Sequence, residues 1–452
     1  MRKLITTSAF ITGSILAFAQ TNPAITSWLQ NTTVKGRHYV SGNSTAITDA
    51  SLTANVQSVK YSANYVYATT QGIPAYVVGP YLDGNPSQAT NQNAIFKFPL
   101  APVQNTATAV STTGGNIGVF INGAAMFDYR DGVSWKNSTS AYAGGPLGGA
   151  GDGVWNRDAI PAEKVGFDCS KGHPAMGNYH HHQNPSAFDL DLNVISTVCN
   201  LYDADGLYAV DSTVHSPLIG FAYDGFPVYG AYGYKNTNGT GGIVRMKSSF
   251  SLRNITVRNT LYTSTVTVTA GPNVSSTYPL GTFKEDYQFT TPAFSDYLDI
   301  HNGRFCVTPE YPAGIYCYFA TVDANWNSAY PYLVGPTFYG TKVAAKVTSI
   351  TESVTIYTAS STGIAGNSID EAKVNIFPNP ATDLIAIQIK DLVKENYDIT
   401  LYDITGKVIE KKTLYQGSTI VYFDTKTLYS GIYFVRMIVG ETVINKKIVV
   451  EK

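Results

Sequence analysis

Seven histidines carry the most concentrated chemistry in this 452-residue chain, and three of them are consecutive. In Gly177-Asn178-Tyr179-His180-His181-His182-Gln183 an extended backbone points His180 and His182 to one face and Tyr179 and His181 to the other. A His-x-His pair on a strand offers two neutral imidazoles side by side, a geometry that suits zinc or copper once further ligands approach. His173 lies seven residues upstream of His180, and Pro174 and Gly177 let the chain return and supply a third ligand. Asp299 and His301, again at i and i+2, add an oxygen and a nitrogen from a second strand. The expected metal ligands are therefore His173, His180, His182, His301 and Asp299. Copper fits an all-imidazole set, and zinc a mixed set with Asp299. The opposing readings are direct acid/base use, or a packed cluster whose imidazoles hydrogen-bond to carbonyls and tyrosine hydroxyls. In that last case the protein is a non-catalytic binding module, with Trp155, Trp326, Tyr229, Tyr316 and Tyr318 stacking on sugars or another polymer.

Other constellations carry less. His215, before Ser216-Pro217, is either a sixth member of the histidine cluster or a structural loop residue, and His38 has no motif around it. Asp203-Ala204-Asp205-Gly206 begins like a calcium loop but lacks the third carboxylate and the distant Glu. Asp224 reads as a turn residue before Gly225, though a carboxylate among Tyr223, Phe226 and Tyr229 has the surroundings to raise its pKa. Arg304 and Glu310 could clamp a carboxylate or sugar, or pair with each other. The glycines of residues 144–153 read as a tight loop, since no strand-loop-helix context makes them a phosphate cradle. There is no Gly-x-Ser-x-Gly elbow and no His-Glu-x-x-His helix, which argues against serine hydrolases and zincins.

The elements that must position these residues are strands. Residues 56–61, 65–68, 95–98, 119–122 and 263–269 are short, β-branched and aromatic, and bounded by Gly, Pro or Asn. No amphipathic helix precedes residue 370, so the expected class is all-β. Charged residues make up only 14% of the chain, and Tyr, Ser, Thr and Asn supply the polar surface instead. A net charge of −1 leaves no general attraction to nucleic acid or anionic lipid. Residues 1–19 read as a signal peptide, with Arg2 and Lys3, an apolar run and Ala17-Phe18-Ala19 before Gln20; no later segment has spanning length. In the oxidising compartment this implies, Cys169, Cys199, Cys306 and Cys317 are expected to form two disulfides, with Cys306 and Cys317 facing each other across a hairpin. Composition changes near residues 342–372, expected as a linker between a β-rich body (20–341) and a tail (373–452). The tail holds 11 of the 31 Lys and Arg. Its period-2 strands and regular turns predict a small Ig-like β-sandwich.

The tail has a Pro378-Asn379-Pro380 entry, a Gly406-Lys407 turn, Leu428-Tyr429-Ser430-Gly431-Ile432-Tyr433 and a basic end at Lys446-Lys447. It resembles the C-terminal sorting domain of cargo for the type IX secretion system of Bacteroidota. That resemblance implies handling by the type IX machinery through residues 373–452, export through the periplasm, and release or attachment at the outer surface. A second resemblance covers roughly residues 119–339, to the secreted YHYH-domain family. It rests on Gly172-His173-Pro174, on Tyr179-His180-His181-His182 and on the strings at 220–230 and 299–312. His181 stands where the family name has tyrosine, while the His-x-His pair is intact. This resemblance implies a secreted β-rich body and supplies positions without a reaction.

Overall fold

The computed structural model describes residues 21–38, 47–81, 88–186, 207–208, 210–262, 267–343, 346–358, 374–389, 396–415, 418–439 and 442–452. The expected signal peptide, the Asp203 loop, Cys199 and part of the 263–269 strand lie outside these residues. The chain divides into two compact units, residues 1–359 and 360–452. Both are all-β, and the helices described are single turns such as Ala159–Glu163.

In the body, β1 (Val56–Tyr61), β2 (Tyr65–Thr70) and β3 (Ala94–Pro99) form an antiparallel meander. Alternation on β3 buries Ala94, Phe96 and Phe98 and turns Lys97 outward, as a period of two requires. A larger sheet is built from β4 (Asn116–Phe120), β5 (Ala125–Phe127), β6 (His173–Ala175), β7 (Asn178–His181), β8 (Leu218–Ala222), β9 (Pro227–Tyr229), β10 (Gly303–Cys306) and β11 (Ile315–Phe319). Its eight strands run in the order β6-β7-β5-β4-β8-β9-β11-β10. Central β8 is buried along its whole length, which is why it reads as a continuous apolar run rather than an alternating one. Phe98 of β3, Phe221 of β8 and Trp28 pack with ring centroids 5.4 to 6.1 Å apart, joining the two sheets into one core.

The expected linker is not uniform. Within it, β12 (Lys346–Val347) pairs with β3 and β13 (Thr355–Tyr357) pairs with β1, so these residues complete a five-stranded sheet of the body. Their Val and Thr content looks like spacer because they are edge strands, exposed along one side.

Cys306 and Cys317 are buried with Sγ atoms 3.3 Å apart, outside the roughly 2.05 Å of a disulfide. The hairpin register explains this: Cys306 faces Ile315 and Cys317 faces Arg304, so the thiols are diagonal neighbours.

Charge is sparse in the body and each buried group is engaged. Arg258, fully buried, donates to both carboxylate oxygens of Asp286 and to the carbonyls of Pro272, Tyr278 and Pro279. Asp224 accepts from Tyr318 Oη, Gly340 N and Phe226 N. Burial pushes its carboxyl up to about 6, against the pull of those three donors. A folded-state pKa above the unfolded one means the native protein binds the proton more tightly, so this stability is present at low pH and is lost as pH rises from about 4 to 6. Urea unfolding of the protein and an Asp224→Asn variant across that window should diverge by about 1.4 kcal/mol per pH unit. Parallel pH profiles would show that Asp224 does not titrate there.

The tail unit contains β14 (Val374–Phe377), β15 (Leu384–Ile389), β16 (Tyr397–Asp403), β17 (Val408–Leu414), β18 (Ile420–Asp424), β19 (Gly431–Val439) and β20 (Thr442–Val450). Sheets β14-β15-β18 and β17-β16-β19-β20 share one core of Ile385, Ile387, Phe423, Ile399, Leu401, Val435 and Met437, which makes a sandwich. Asn379 of the Pro-Asn-Pro entry donates to Lys447 O and accepts from Val449 N, so it ties the entry to the last strand.

Candidate metal centre

The histidine hairpin is set by its turn. Ala175 pairs with Asn178, and the two residues between them, Met176 and Gly177, both have positive φ, at 50° and 80°. Two left-handed residues define the tight hairpin turn whose twist matches the strands it joins. This register places His173 directly opposite His180. A Cβ on Gly177 would lie 2.1 Å from Thr90 Oγ1, so glycine is required by space as well as by φ. Gly177→Ala is expected to cost roughly 1–3 kcal/mol of stability in urea unfolding. An unchanged midpoint would remove the turn from this account.

Strand alternation separates the three consecutive histidines. His181 turns to the inner side, where Nε2 meets Tyr76 Oη at 2.9 Å and Nδ1 meets Lys171 O at 3.1 Å. Burial pushes its pKa down to about 3. Beside it, Tyr179 donates to Asp168, whose carboxylate also accepts from the backbone of Gly79, Ser170 and Gly172. That knot holds the approach to His173.

His180 and His182 turn to the other side and converge with His173 and Glu163. One ligand atom from each of the four lies within 4.8 Å of the rest. His180 Nε2 is 3.1 Å from His182 Nε2, and Glu163 Oε2 is 3.1 Å from His182 Nε2 and 3.2 Å from His173 Nε2. Glu163 ends the helix Ala159–Glu163, whose N-cap Asp158 accepts from Ile160 N and is fixed by Tyr332 Oη at 2.7 Å. Phe127 stacks on His180 at 3.7 Å, and Phe167 meets His173 edge-on at 4.9 Å, so aromatic rings cover two of the imidazoles.

Hydrogen bonds set the tautomers. His180 Nδ1 faces Asn178 O at 2.9 Å, and His182 Nδ1 faces Asp128 O. Carbonyls only accept, so each Nδ1 carries a proton, and in the neutral ring each Nε2 then presents a lone pair to the group. Burial, with His173 and His182 nearby, pushes His180 well below the usual imidazole value. Burial also acts on Glu163, but the neighbouring His182 and His173 rings outweigh it and hold the carboxyl well below its usual range. Glu163 Oε2 is nonetheless buried without a well-formed hydrogen bond.

Of the five residues expected as ligands, the structure brings together His173, His180 and His182. Asp299 and His301 stand just before β10, at the opposite edge of the eight-stranded sheet from β6 and β7. Asp299 is occupied by Tyr316 Oη and by the backbone of His301 and Gly303, while His301 Nδ1 lies 2.7 Å from Thr337 Oγ1. Glu163 was missed because it is a lone carboxylate on a five-residue helix with no periodic signal. The aromatic residues expected at a stacking surface are mostly core: Trp155, Tyr229, Tyr316 and Tyr318 are buried. Arg304 does not pair with Glu310; it donates to backbone carbonyls of Tyr234, Lys235 and Ser295, and Glu310 accepts from Tyr229 Oη.

Fold and site together define an all-β protein with a buried His/Glu group on a sheet edge. A family model described as YHYH protein matches residues 95–331, and the chain belongs to that family. A second model, the secretion system C-terminal sorting domain, matches residues 375–451. That domain marks the chain for export by the type IX machinery and for attachment to or release from the cell surface. Among the described residues no helix is long and apolar enough to cross a membrane. A search of the curated proteins finds no match.

Proposed function

We propose that this exported protein holds one transition-metal ion through Glu163, His173, His180 and His182. The observation that supports this reading is the meeting of lone pairs. With both Nδ1 atoms committed to carbonyls, His180 Nε2 and His182 Nε2 approach to 3.1 Å as two acceptors, beside a carboxylate oxygen. Acceptors at that spacing repel unless a cation lies among them. Zinc bonded at about 2.0–2.1 Å in a tetrahedral shell sets its donors ~3.3 Å apart, close to three of the spacings here, 3.1 to 3.2 Å, within a group whose ligand atoms all lie within 4.8 Å. Four protein donors complete such a shell, which is the pattern of a structural site. Three imidazoles with one carboxylate favour zinc, and copper is the second choice. The metal would tie the helix Ala159–Glu163 to the β6–β7 hairpin.

The competing filler is a proton, which would make His182 an imidazolium paired with Glu163. Elemental analysis of the purified mature protein, free of any histidine tag and equilibrated with zinc or copper, separates the two. About one equivalent surviving gel filtration supports the metal. Less than about a tenth of an equivalent assigns the proton instead.

A further inference from the structure

A cavity of about 220 Å³ lies beside the metal group, walled by Ile160, Leu280 and Tyr287 and reached by Lys164, Gln183 and Ser328. It shares supports with that group: Ile160 is on the helix that ends in Glu163, and Gln183 follows His182. Gln183 is completely buried, yet neither its Oε1 nor its Nε2 has a hydrogen-bond partner among the described residues. Ser328 Oγ is also buried and unpartnered. The half-buried Lys164 forms no side-chain ion pair or hydrogen bond among the described residues. The nearby carboxylates are already committed, Glu163 to the histidines and Asp158 to Tyr332 Oη and Ile160 N.

A buried donor left unpaired is costly, so Gln183 Nε2 and Ser328 Oγ ask for an acceptor, and the half-buried Lys164 stands beside them. Their common complement is an anion that takes a charge-assisted bond from Lys164 Nζ and further bonds from Gln183 Nε2 and Ser328 Oγ. Ile160, Leu280 and Tyr287 offer apolar surface to the body of that anion. The volume falls below the ~300–1,000 Å³ of sites for drug-sized ligands, so the body is small. We infer that this cavity binds a small organic carboxylate. None of the four residues of the metal group lines it. Loss of metal and loss of this ligand are therefore separate readouts.

The probe is benzoate, titrated against the full mature protein by saturation-transfer NMR, with neutral benzamide as its isostere. Benzoate is expected to bind saturably, and at least about tenfold more tightly than benzamide. Lys164→Met should weaken benzoate by about tenfold or more, with the melting temperature unchanged, and Lys164→Arg should restore it. Absence of saturable benzoate binding up to about 20 mM, or equal affinity in the Lys164→Met protein, would overturn the assignment.

Discussion

Replacing His180 and His182 together by alanine is expected to lower bound metal from about one equivalent to below a tenth and to drop the melting temperature by roughly 10 °C. Both losses have one cause. The imidazoles supply two of four donors, and a metal that binds only the folded chain adds its binding energy to stability. Glu163→Gln is the milder companion, because it keeps the shape of the side chain while removing the charge that faces His173 and His182. It should fold and bind zinc at least about tenfold more weakly. Elemental analysis with thermal unfolding, each with and without a chelator, checks both variants. A chelator that leaves the melting temperature of the unmutated protein unchanged would separate the histidine group from any metal-dependent stability.

Asp286→Ala is expected to destabilise the body by about 3–5 kcal/mol, measured by urea unfolding. Arg258 and Asp286 are both fully buried, and truncating the carboxylate leaves a guanidinium with carbonyl partners but no counter-charge. Replacing both residues by apolar side chains of similar volume should recover much of the loss, since it removes the stranded charge as well as the pair. Arg258 also ties down the carbonyls of Tyr278 and Pro279, next to Leu280 in the cavity wall. The single variant should therefore weaken benzoate binding too. A loss under about 1 kcal/mol would show that water reaches the guanidinium.

Much of the body's local structure was legible because strands repeat every two residues. Alternation marks β3 directly, while β1 and β2 show themselves through β-branched and aromatic content, and the same period of two separates His180 and His182 from Tyr179 and His181. The tail was legible through motifs that each do a mechanical job, such as Asn379 clasping the last strand or Asp403 capping the turn at Gly406 through Thr405 N and Lys407 N. Residues 346–347 and 355–357 of the expected linker are edge strands, and an edge strand buries little, so its composition resembles spacer.

The sequence by itself determined the all-β class, the sorting tail and the pairing of His180 with His182, because each depends on spacing within a few residues. Asp299 and His301 show the same i and i+2 spacing, yet they occupy the far edge of the sheet from His180. Only the tertiary structure separates the two pairs in space. Glu163 reaches the histidines because its helix is capped by Asp158, which Tyr332 holds from 174 residues away in the chain. The parallel pairing of β7 with β5 brings Asp128 O to His182 Nδ1. Contacts of such separation leave no periodic trace in the sequence, since they depend on how distant strands stack and not on which residues follow one another.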